Sequence, residues 1–201
     1  MRRVLLTGLA AVPAGLALGV VTQGVDHVDV RLRWVGALGV PWLALAFGLG
    51  ALARARTAGA VSGAVALVVA TGAWYALHAA SMGSIRVAPV ALAWATAGVA
   101  SGAVFGFLGA HWRAGHVAPV ALMAGAFAGE ALVLATEWPR HVAVTVLAAE
   151  IAIAAMLPFL LTRPARAIPL VLALTAVATI VMGTAAEEVR AMARAAGWRG
   201  L

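Results

Sequence analysis

The chain has 201 residues, 64% of them apolar and only 10% charged, with a mean hydropathy of +1.03. A soluble domain of this size carries about a quarter charged residues, so the composition excludes one and predicts a single integral-membrane domain over residues 1–201. Basic residues outnumber acidic ones 14 to 7, but all are Arg at the ends of apolar runs, a topology signal and not a nucleic-acid footprint.

Seven apolar runs follow one another, at 3–22, 34–53, 58–80, 87–110, 117–136, 142–162 and 168–186. Each is close to the ~20 residues that cross a bilayer, so the expected fold is all-α, a polytopic bundle of seven transmembrane helices. The first run follows Arg2 and Arg3, as a secretory signal would. It is long and has no clear small-residue cleavage site before Asp26, so a retained span is expected. Thr22 to Arg33 then reads as the longest outer loop, TQGVDHVDVRLR. Asp26, His27 and Asp29 there offer oxygen and imidazole ligands. The D-H-x-D text matches neither a tandem acidic diphosphate-binding motif nor a histidine-pair hydrolase motif. A solvated lid is the ordinary reading, and no metal or other cofactor is expected.

In the second run Pro41 precedes Trp42 and is expected to kink the helix by removing a backbone bond. The third carries Thr71, Trp74, Tyr75 and His78 at i, i+3, i+4, i+7 spacing, one helical face whose opposite side is Ala, Gly and Val. The fourth and fifth open with the same hexapeptide, Val87 to Leu92 and Val117 to Leu122. An inverted repeat would explain it, and so would composition bias. Pro89 and Pro119 sit in first turns, where proline is tolerated. Glu130 lies inside the fifth run, Glu150 and a second kink-forming proline, Pro158, inside the sixth. After the seventh, the tail beyond Glu187 has helical composition. Val189, Met192 and Trp198 could lie along an interface there, with a frayed terminus the alternative. Small residues four apart recur (Gly59 with Gly63, Gly98 with Gly102, Gly102 with Gly106, Gly125 with Gly129), as in closely packed membrane helices.

With the N-terminus cytoplasmic, Arg2, Arg3, Arg54, Arg56, Arg113, Arg163 and Arg166 fall inside and Arg31, Arg33, Arg86 and Arg140 outside. Arg190, Arg194 and Arg199 of the tail weaken this bias without reversing it. The expectation is therefore a multi-pass protein of the inner (plasma) membrane, N-terminus in. Every carboxylate then falls toward the outer side. Counted at 1.5 Å per residue, Trp42, Trp74, Trp94, Glu130 and Glu150 lie roughly 9–12 Å from their outer span ends, with Tyr75 and His78 slightly shallower. Ionisable groups gathered at one membrane depth usually line a site or a path.

Trp34, Trp112, Trp138 and Trp198 fit an interfacial belt. For Trp74 and Tyr75, belt and site compete, because His78 shares their face. Glu130 and Glu150 have no basic residue within a helical turn, and a charged carboxyl at that depth is costly. They are expected to be protonated and able to donate, or else to act as hydrogen-bonding glue between helices. No Cys means no disulfide, thiolate or iron–sulfur chemistry. No Lys means no retinal Schiff base.

The layer is rich in Trp, carboxyl and imidazole and poor in amides, which suits an apolar or cationic ligand better than a sugar. In size, span number and residue inventory the chain resembles the small integral-membrane terpene cyclases. That resemblance implies an isoprenoid-like substrate and acid-initiated cyclisation or isomerisation. Glu130 or Glu150 would be the acid, the other carboxyl or His78 the final base, and Trp42, Trp74, Tyr75 and Trp94 would bind substrate and stabilise the cation. A second resemblance rests on GVPW at 39–42, WYALH at 74–78 and AGEALVL at 128–134. These look like a family of uncharacterised small multi-pass membrane proteins from high-GC bacteria, which implies no activity. The expected partners are the bilayer and an apolar small molecule. A small-solute binding or transport component and a structural membrane protein without a ligand site remain the alternatives.

Overall fold

A computed structural model describes residues 2–28, 38–53, 55–82, 88–137 and 144–197, with side chains other than those at 2–7, 26–28, 82 and 137. The described chain is all-α. Helices α1 (Arg2–Val28), α2 (Val40–Ala53), α3 (Arg56–Met82), α4 (Ala88–Arg113), α5 (Ala118–Glu137), α6 (Val144–Leu161) and α7 (Ile168–Ala195) follow in order, with a 3-10 turn at Ala165–Ala167 before the last. Six of the described helices are long and apolar enough to cross a membrane. The exception is α2, with 14 residues, or ~21 Å of helix.

Three local expectations change. α1 continues through Val28, so Thr22 and Gln23 belong to a helix and not to a loop. The reason is packing: Ala11, Gly15, Gly19, Thr22 and Gln23 form one buried stripe that persists into the polar text. Pro41 does not interrupt a helix. α2 begins at Val40, and both Trp42 N–H and Leu43 N–H donate to the Gly39 carbonyl at 3.1 Å, so Pro41 occupies a first turn that needs no N–H from it. The tail is neither frayed nor a separate interfacial segment up to Ala195, because α7 runs unbroken to that residue. Pro158 does stand inside α6, as does Pro13 inside α1.

The chain forms two compact units, Met1–Arg113 with Val189–Leu201, and Ala114–Glu188. In the first, α3 packs on α1, α2 and α4, and glycines set the spacing. A Cβ on Gly102 would stand 2.5 Å from the Gly63 carbonyl oxygen, and one on Gly59 would stand 2.6 Å from that of Gly106. α3 and α4 therefore run antiparallel at backbone contact, which only a missing side chain permits. Gly15 and Gly19 meet the Ala66 and Ala70 carbonyls in the same way, laying α1 parallel to α3. Ala11, Leu49 and Ala66 join α1, α2 and α3 in one apolar core.

In the second unit α5 packs on α6, and Gly125 and Gly129 meet Ala178, Thr179 and Gly183 of α7. On α6 the buried residues are Glu150, Ala154 and Pro158, a single i, i+4, i+8 stripe. Ile151, Ile153, Met156, Phe159 and Leu160 are exposed. The repeated hexapeptide opens α4 in one unit and α5 in the other, with Ala-Pro at the first two helical positions of each. It acts as a helix-start signal.

Candidate functional site

The face foreseen on α3 is a real aromatic cluster. The indole of Trp74 stacks on the imidazole of His78, centroids 4.9 Å apart and planes 13° off parallel. Tyr75 meets the same indole edge-on at 4.7 Å and 70°. The i, i+4 spacing makes the stack possible, since residues four apart lie above one another on a helix. Thr71 shares the face, but its hydroxyl donates to the Leu67 carbonyl at 2.8 Å, satisfied within its own helix. The Nε1–H of Trp74 is buried and has no hydrogen-bond partner among the described residues. Buried indole N–H groups normally find an acceptor.

The glycine contacts give the register of the neighbouring helices. Gly98 lies opposite Leu67, 3.5 Å from its Cβ to a Cβ built on the glycine. Trp94 is four residues before Gly98 and Trp74 seven after Leu67, and because α3 and α4 are antiparallel their levels differ by only ~4–5 Å. A Cβ built on Gly59 would stand 3.1 Å from the Gly50 Cα. From that point Trp42 lies ~12 Å along α2 and Trp74 ~22 Å along α3, so Trp42 stands about two turns from the level of Trp74 and about one turn from that of Trp94. Trp74 and Trp94 thus stand within one turn of the same level in the first unit, with Tyr75 beside Trp74 and His78 one turn further along α3.

Gln23 joins them. Gly19 faces Ala70 and Ala73, so Gln23, one turn on, stands level with Trp74. It is only 3% exposed, and it is the single Gln of the chain. The sequence signal was present in Gly15 and Gly19, a small-residue pair four apart whose stripe extends to Gln23.

Glu130 and Glu150 belong to the second unit, on the packed pair α5 and α6. Each is 4% exposed. Along their helices they stand ~10 Å from the C-terminal end of α5 and ~9 Å from the N-terminal end of α6. Glu130 follows Gly129, whose backbone meets Thr179 and Gly183 of α7. Of the presumed belt residues, Trp112 packs against Phe47 at 5.8 Å, while Trp34, Trp138 and Trp198 lie outside the described residues. The side chains of Asp26 and His27, and all of Asp29, lie outside them as well. No group of three His, Asp or Glu that could hold a metal occurs among the described residues.

No curated protein and no solved structure matches the chain at a significant level. A family model does match, over residues 1–192, nearly the whole length. Six long apolar helices, a glycine-packed α1–α4 unit and the aromatic face of α3 are thus attributes of a member of DUF6518, a family of unknown function, to which this chain belongs.

Proposed function

We propose that the chain is a multi-pass plasma-membrane protein, N-terminus cytoplasmic, with all seven helices crossing. In this reading it is an enzyme that acts on an apolar, isoprenoid-like molecule by acid-initiated cyclisation or isomerisation. The observation that carries the reading is the stack of Trp74 on His78 with Tyr75 at its edge. Indole and phenol faces such as those of Trp74 and Tyr75 stabilise a carbocation by roughly 0.5–2 kcal/mol each.

Protonation of a substrate double bond by Glu130 or Glu150 forms one C–H bond and a cation. An internal double bond then closes on that cation to form a ring bond, or the cation forms without closure. Loss of a neighbouring proton to the other carboxyl or to His78 restores a double bond. Atoms balance without any co-reactant. In this reading Trp42, Trp74, Tyr75 and Trp94 are the substrate-binding residues.

A second reading, small-solute binding or transport, is favoured by Gln23. A buried amide level with a buried indole N–H suits a ligand that carries an oxygen acceptor, which a bare hydrocarbon lacks. Incubating the purified protein with farnesol and with squalene separates the two. A product of unchanged mass and altered retention supports the enzyme. Saturable binding of a polar solute, with no lipid transformed, supports transport.

A further inference from the structure

We propose that the Arg56–Arg113 end of the first unit binds the phosphate headgroup of an anionic phospholipid. A Cβ on Gly59 would stand 3.2 Å from the Cβ of Ala110. Arg56 is one turn before Gly59 and Arg113 one turn after Ala110. Because α3 and α4 are antiparallel, both arginines stand at one level on adjoining helix ends. Both side chains are exposed. The parallel packing of α1 on α3 brings the first turn of α1, residues 2–5, to the same end, and that turn contains Arg2 and Arg3.

Nothing nearby in the sequence neutralises this charge. No Asp or Glu occurs between Asp29 and Glu130, so α2, α3 and α4 contain no carboxylate. Trp112, the residue before Arg113, packs on Phe47 of α2, the arrangement of an indole anchored at headgroup depth. Guanidinium groups bind phosphate through paired N–H donors, and anionic lipids attract basic residues at the membrane surface. The inference rests on the membrane reading above, and on no part of the isoprenoid chemistry.

The test measures binding of phosphatidylglycerol and phosphatidylcholine to the detergent-purified full chain by native mass spectrometry. Wild type should prefer phosphatidylglycerol, and R56Q/R113Q should lose about 30-fold in affinity for it, about 5-fold per arginine. R163Q/R166Q removes the same charge at exposed positions of the other unit and should lose far less. If R56Q/R113Q fails to fold, R113Q alone is read against the 5-fold expectation. Equal losses from the two double variants, or equal affinity of wild type for the two lipids, would overturn the inference. Recovery of the wild-type chain from the soluble fraction of cells would instead overturn the membrane reading beneath it.

Discussion

The indole of Trp74 and the imidazole of His78 lie nearly parallel, 4.9 Å apart, in the C-terminal half of α3. Parallel stacking leaves one face of each pair member covered by the other, so the chemistry of either ring depends on its partner. Trp74→Leu should therefore weaken turnover or ligand binding by roughly 2–30-fold, the range of one cation–π contact. Trp74→Phe keeps a ring over His78 and should lose less. The comparison is made on detergent-purified variants with matched thermal unfolding. Equal losses from Leu and Phe would point to the indole N–H and not to its face.

Glycine packing makes a stability prediction with an internal control. Gly63→Ala and Gly102→Ala place a methyl group against the backbone of the opposing helix and should destabilise by about 1–3 kcal/mol. Gly48 and Gly72 have nothing within 4 Å of a built Cβ. Their replacement by Ala should be neutral or stabilising by up to ~1 kcal/mol through helix propensity. Thermal unfolding of the four variants in detergent reads the difference. Similar behaviour of all four would contradict the backbone-contact register on which every level assignment rests.

The chain has no native cysteine, so topology can be read one position at a time. Ala55, Ala114 and Ser81 are exposed connections or helix ends. Ala55→Cys and Ala114→Cys should resist a membrane-impermeant maleimide in intact cells and label after permeabilisation. Ser81→Cys should label from outside. Labelling of position 55 in intact cells would reverse the orientation, and labelling of 55 and 81 from the same side would remove α3 as a span.

Much of this arrangement was legible in the sequence, for identifiable reasons. Ala-Pro marks the starts of α4 and α5 because proline fits a first turn. The spacing of Thr71, Trp74, Tyr75 and His78 fixes their shared face because helical period is a local property. The start of α2 was misjudged since Pro41 looks alike inside a span and at its opening. The end of α1 was misjudged since Thr22 and Gln23 open polar text that resembles a loop, while in the helix they complete the buried stripe of Ala11, Gly15 and Gly19. What no local pattern contains is register between helices. Gly63 meets Gly102, Gly19 meets Ala70, and only these pairings bring Gln23 level with Trp74 and set Trp42 about two turns from it.

The most direct test of the central claim is turnover in heavy water. The purified protein is incubated with farnesol or squalene in D2O, and the product is analysed by gas chromatography–mass spectrometry. Acid initiation predicts an isomeric product carrying one deuterium, delivered by an exchangeable carboxyl and retained when a different hydrogen leaves. E130Q/E150Q keeps the shape of both buried side chains but removes the donated proton, so turnover should fall at least ~10²-fold while unfolding temperature holds. A product free of deuterium, or full activity in the double variant, would contradict the account.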